Sequence, residues 1–148
     1  MGSKGVAERQ KEEIMYLAFQ KKKRKSGRRT LINQCLVIWA KIVKINGKCD
    51  LCGSTYRLEA HHICHRRWFV CLGWFLLDNG ICLCWRCHQD GVHSMSFKIQ
   101  QQYHKKILSF LEAKSIDYDV LYLRCKTRGV DLGLIKLALQ DYKKNLRI

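Results

Sequence analysis

Apolar residues recur at helical spacing at both ends of the chain and lose that spacing in its centre. Ile14, Leu17 and Ala18 share one face of a segment from Ala7 to Lys22. Leu31, Cys35, Ile38, Ile42 and Ile45 share one face of "LINQCLVIWAKIVKI" (Leu31 to Ile45). Two helices are predicted there, joined by "KKKRKSGRR" (Lys21 to Arg29), a charged linker with Gly27 as its breaker. "NGK" (Asn46 to Lys48) then turns the chain into the centre. After Ser94 the helical period returns through Ile99, Tyr103, Ile107 and Phe110/Leu111, and "YDVLYLRCKT" follows. Gly129 breaks the pattern, and "DLGLIKLALQDYKKNL" begins with Asp131 as N-cap. Three C-terminal helices are expected, their apolar stripes serving as packing faces. "WFVCLGWFLL" (Trp68 to Leu77) is about half the ~20 apolar residues a membrane-spanning helix needs and reads as buried strand or loop.

Charge divides the chain the same way. The 148 residues hold 28 Lys and Arg against 12 Asp and Glu, a formal net charge of +16, which favours a polyanionic partner. Residues 1–48 carry 13 basic and 3 acidic side chains, residues 49–95 carry 4 of each, and residues 96–148 carry 11 and 5. The neutral centre also holds seven of the nine cysteines and five of the six histidines. Chemistry is concentrated there and electrostatic attraction in the flanks. Nine cysteines without a secretory signal at the N-terminus suggest a reducing, cytoplasmic setting, in which closely spaced cysteines bind metal rather than pair. A single domain is expected, with a basic helical region over 1–47, a metal-rich core over 48–95 and a helical region over 96–148.

The core contains two cysteine knuckles. "CDLCG" offers Cys49 and Cys52, "CWRC" offers Cys84 and Cys87, and 31 residues separate them. Two tight turns of this kind present four thiolates to one tetrahedral zinc and leave no position for water, so the ion would be structural. Cys82 in "CLCWRC" competes with Cys84, and the usual two-residue spacing favours Cys84 with Cys87. Cys35, Cys64, Cys71 and Cys125 read as small buried apolar residues.

Between the knuckles lies "LEAHHICHRR", with His61 and His62 adjacent; Asn79 follows in "LLDNGICLC", and His88 comes directly after the second knuckle, with His93 five residues on. The ordered set "CDLCG", "LEAHHI", "DNGICLCWRCH" and a trailing His resembles the HNH endonuclease family, above all its small phage-encoded members with a four-cysteine zinc site, over about residues 31–95. The resemblance implies an α+β fold around a ββα-metal core: a hairpin holding His61, His62 and Asn79, then a helix starting near Cys84 to His88. It implies hydrolysis of DNA phosphodiester bonds, as a nick or a double-strand cut, with His62 as general base. His61 and His88 would be ligands of a divalent metal such as Mg, Mn, Ni or Zn, and Asn79 would pin the loop that orients the base.

A neutral histidine suits the base because its unperturbed pKa lies near ~6.5. Successive strand residues point to opposite faces, so the strand must end or twist at the histidine pair for both to serve one site. His93 departs from the family pattern, whose second helical histidine lies four residues after the first, and is open between ligand and solvated helix-end residue. "WFVCLGWFLLDN" also departs from the expected lead-in to the asparagine, so a rebuilt loop is expected. Lys21, Lys22, Lys23, Arg24, Lys25, Arg28 and Arg29 are candidate phosphate contacts, with a solvated linker as the alternative, and Arg66 and Arg67 stand equally between phosphate grip and loop charge. The expected partner is DNA and not a membrane. A zinc-stabilised DNA-binding module without catalysis is the rival reading; it needs the cysteines and the charge but has no use for His62 and Asn79.

Overall fold

The computed structural model describes residues 27–65 and 70–147. Helix α1 covers 27–43, and the short chain after it turns at Gly47 into the first cysteine knuckle. Strand β1 (Leu58–His62) pairs antiparallel with β2 (Gly80–Cys84), placing Leu58 opposite Cys84 and His62 opposite Gly80. A π-helical segment (Arg86–Val92) follows β2 almost directly. Helices α2 (Phe97–Ala113), α3 (Tyr118–Cys125) and α4 (Leu132–Asn145) complete the described chain. The architecture is therefore α+β, a two-stranded sheet among helices. No helix among the described residues is long and apolar enough to cross a membrane.

All five residues of β2 are buried because both faces of the hairpin are covered. Trp39 and Val43 of α1 press on Gly80, and α1 and α4 share a core of Cys35, Trp39, Ile42, Phe75, Leu132 and Leu139. The other side packs Ile81 and Leu83 against Cys49, Cys84, Cys87 and Ile107 of α2. A third cluster of Cys64, Leu111, Leu121 and Cys125 joins the loop after β1 to α2 and α3. Asp131 caps α4, its Oδ1 accepting from the N–H groups of Gly133 (2.9 Å) and Leu134 (3.1 Å). Asp117 caps α3 in the same way through Val120 (2.8 Å).

Several expectations need correction. Gly27, Arg28 and Arg29 lie in α1 rather than in a linker: one glycine costs a helix only ~1 kcal/mol, and arginine is a good helix former. Ile45 lies beyond the end of α1 and is exposed, while Trp39, not on the predicted stripe, is its most informative buried residue. Ile99 is 37% exposed, so the packing face of α2 runs through Ile107 and Leu111 instead. The helix expected to start near Cys84 to His88 does begin there, at Arg86 directly after β2, but it is a π-helix rather than an α-helix. Of the two readings expected for the Trp68 to Leu77 stretch, strand or loop, the residues from Val70 onward take the loop, with 3-10 turns at Leu72–Trp74 and Leu77–Asn79. The predicted helix from Ala7 to Lys22, the basic run Lys21 to Lys25, and Arg66 and Arg67 lie outside the described residues.

Candidate metal centres

Cys49, Cys52, Cys84 and Cys87 bring their four sulfurs within 4.8 Å of one another. The first knuckle folds because Gly53, at φ +75°, takes a left-handed turn that a side chain resists, letting its N–H reach the Cys49 carbonyl (2.9 Å). Asp50 ties this knuckle to β2: its N–H donates to the Cys82 carbonyl (2.8 Å), and its Oδ2 accepts from the Cys82 N–H (2.7 Å). Cys82 is thereby buried outside the cluster. In the second knuckle the Cys87 N–H donates to Cys84 Sγ (3.5 Å), and Cys52 Sγ lies 3.6 Å from Cys84 Sγ. An ion at Zn–S bond lengths of about 2.3 Å sets tetrahedral sulfurs about 3.8 Å apart, so the cluster fits such an ion.

Its electrostatics agree. Burial pushes the Cys84 thiol up, but the Cys87 N–H and the neighbouring thiols outweigh it and leave Cys84 at about 7. Burial and the adjacent sulfurs push Cys87 well above the ordinary thiol value. One negative charge is therefore accommodated readily and further ones are resisted, until a cation offsets their repulsion.

Some distance along the hairpin, His61, His88 and His93 form a second group with ligand atoms within 4.8 Å of one another. β1 ends at the histidine pair, and the two rings part company there. His61, 7% exposed, places Nδ1 3.0 Å from His88 Nε2. Its ring meets those of His88 and His93 edge-on at 4.9 and 5.3 Å between centroids. Burial, with four histidines nearby, lowers its pKa to about 3, so the ring is neutral and ready to donate a lone pair at any ordinary pH.

His93 joins this group through the π-helix. Its N–H donates to the His88 carbonyl (3.0 Å), a five-residue bond that sets residues five apart on one face. The wide turn is held from outside by Tyr103 of α2: a Cβ at Gly91 would sit 2.4 Å from the Tyr103 ring. Tyr103 also packs in the cluster that contains Cys84 and Cys87, so one side chain braces both centres.

Glu59, which sequence reasoning did not assign, pairs its Oε2 with His88 Nδ1. The carboxylate holds the Nδ1 proton and leaves Nε2 as the lone-pair nitrogen toward His61, the usual outer support of a metal-binding histidine. The signal was present: Glu59 and His61 are two apart in a strand and share a face.

His62 stacks on Trp39 (4.0 Å between centroids, 8° between planes), and its Nε2–H donates to the Trp74 carbonyl (3.0 Å). A carbonyl only accepts, so Nε2 carries the proton and the neutral ring keeps its lone pair on Nδ1. Asn79, fully buried, holds the surrounding backbone. Its Oδ1 accepts from the Cys64 N–H (2.6 Å), and its Nδ2 donates to the carbonyls of Cys64 (3.1 Å) and Gly73 (2.8 Å). The Gly73 carbonyl immediately precedes the residue that orients His62. Searches against family models, curated proteins and solved structures found no match to this chain.

Proposed function

We propose that the chain is a metal-dependent endonuclease of the HNH type that hydrolyses DNA phosphodiester bonds on a ββα-metal core stapled by a structural zinc. The observation that carries this reading is the convergence of His61, His88 and His93, with His62, next to His61 in the chain, held separately by Trp39 and a backbone carbonyl. Four thiolates suit a soft or borderline ion such as zinc, whereas three neutral imidazoles suit a divalent metal that keeps positions open. A divalent cation on the imidazoles would supply the positive charge that offsets charge developing on the phosphoryl group.

The chain's own residues do the rest. Glu59 keeps His88 in the metal-binding tautomer, and burial keeps His61 neutral. His62, held by Trp39 and the Trp74 carbonyl, serves as the general base for an attacking water. Asn79 fixes the loop that bears that carbonyl. The basic flanks draw the polyanion to a neutral centre.

The test is plasmid nicking with magnesium, manganese or nickel against a chelator. His62→Ala should lower cleavage by about 10²-fold or more while DNA affinity is kept, since a general base contributes ~10²–10⁴. His88→Ala should weaken divalent-metal binding instead. Intact plasmid under every metal, with DNA still bound, would leave a zinc-stabilised DNA-binding module in place of a nuclease.

A further inference from the structure

A groove of about 350 Å³ opens from the histidine group between the end of β1 and helix α2. It shares His61 with that group, so its occupant lies directly beside whatever the group binds. The volume is at the small end of ligand pockets, which run ~300–1,000 Å³, and too small for a duplex. Its floor is apolar, formed by Ile63, Val92 and Ile107. At the rim Phe97 stands 72% exposed at the first turn of α2, its ring face open to a stacking partner.

The polar lining is neutral in type. Gln100, Gln101, His65 and His104 line the groove, and no Asp, Glu, Lys or Arg does so among the described residues. Gln100 Nε2 donates to the Ser94 carbonyl (2.6 Å), which leaves its Oε1 as an acceptor. His104 is held edge-on against Tyr118 (5.9 Å between centroids). Among the described residues this lining carries amide and imidazole groups and no carboxylate, ammonium or guanidinium. It matches a flat, uncharged group with an apolar face and a hydrogen-bonding edge, and a nucleobase is the part of a nucleic acid with that chemistry.

We infer that this groove takes one unpaired nucleobase adjoining the scissile phosphate, stacked on Phe97 and read at its edge by Gln100 and Gln101, so that the substrate is single-stranded or locally unpaired DNA. The inference rests on the nuclease reading for where the phosphate lies. A base sits one sugar away from its phosphate, and the groove adjoins the histidine group through the shared His61. In an intact duplex the base is held in its stack and cannot enter.

The experiment measures binding by fluorescence anisotropy, with no divalent metal added, to a single-stranded oligonucleotide, to its duplex, and to the duplex with one bulged nucleotide. Plasmid nicking is run on the same full-length proteins. Wild type should prefer the single-stranded and bulged probes. Phe97→Ala should lower affinity for these two by about 10–100-fold, the effect of losing one base–aromatic stack. Gln101→Ala should change the ranking of bases at the bulge. Leu137→Ala, exposed on α4, serves as the control that keeps the preference. If neither Phe97→Ala nor Gln101→Ala alters binding to unpaired DNA while nicking persists, the base subsite is wrong and the nuclease reading stands. If no metal supports nicking but single strands bind through Phe97, the subsite stands and the nuclease reading falls.

Discussion

Asn79→Ala removes one fully buried side chain and three hydrogen bonds, and orphans the Cys64 N–H, the Cys64 carbonyl and the Gly73 carbonyl. Each buried backbone group left unsatisfied costs ~1–3 kcal/mol, so the three together should cost at least about 3 kcal/mol, a large part of the ~5–15 kcal/mol that holds a typical domain. At about 3 °C per kcal/mol for a chain of this size, the thermal midpoint should fall by about 10 °C. Urea unfolding, followed by tryptophan fluorescence, measures the loss directly.

Asn79→Asp sharpens the test. The carboxylate can still accept from Cys64 N–H, but its second oxygen would face two carbonyls where the amide had donated. The variant is relieved only when that carboxyl is protonated, so its folded pKa must rise above the ordinary ~3.9. A raised folded pKa adds stability below the unfolded pKa that is lost as pH climbs through the folded value. The deficit of Asn79→Asp relative to wild type should therefore be largest near pH 7–8 and shrink toward pH 4, whereas that of Asn79→Ala should not follow this trend. An Asn79→Ala protein within about 1 kcal/mol of wild type, or an aspartate variant whose deficit ignores pH, would refute the pinning argument.

Elemental analysis of protein purified without added metal should find about one zinc per chain, and Cys49→Ser or Cys87→Ser should damage folding far more than Cys125→Ser. Without added divalent metal, His61 should make the fold acid-sensitive. Its folded pKa of about 3 lies below the unfolded value of about 6.5, so stability falls as pH drops between them, by about 2 kcal/mol from pH 7 to pH 5, and urea midpoints of His61→Gln should lose that share of the slope. Neutralising Lys21 to Lys25 should lower the salt slope of duplex binding, by about 0.9 for each phosphate no longer neutralised, with little change in single-turnover cleavage at saturating DNA. An unchanged slope would make the run a solvated linker.

What could be read from the chain alone was what local chemistry determines. The two-residue spacing within each knuckle selected Cys49, Cys52, Cys84 and Cys87 over Cys82, and the structure brings those four sulfurs together. Asp131 reads as a cap because a short acceptor before a helical period has one common use, and it caps α4. Trp39 escaped notice because its value depends on a distant partner: an aromatic residue flanked by apolar neighbours looks like any core residue until His62, 23 positions later, stacks on it. Arg28 and Arg29 were misplaced for the opposite reason, since a run of like charges with one glycine resembles a linker, although nothing in it forbids a helix.

His93 shows where local reading reaches its limit. On an α-helix, residues five apart lie about 140° apart around the axis, and by that geometry His93 should face away from His88. The π-helix cancels the offset, and what selects it is a contact from another element. Tyr103 lies twelve residues beyond Gly91, and its ring occupies the space a side chain there would fill, so the wide turn and the bare glycine form one fit. Gly91 is thus part of what positions the third histidine. That coupling also ties the histidine group to the cysteine cluster, because Tyr103 packs beside Cys87: an ion held by the four cysteines would steady α2 and, through Tyr103, the register of His88 and His93.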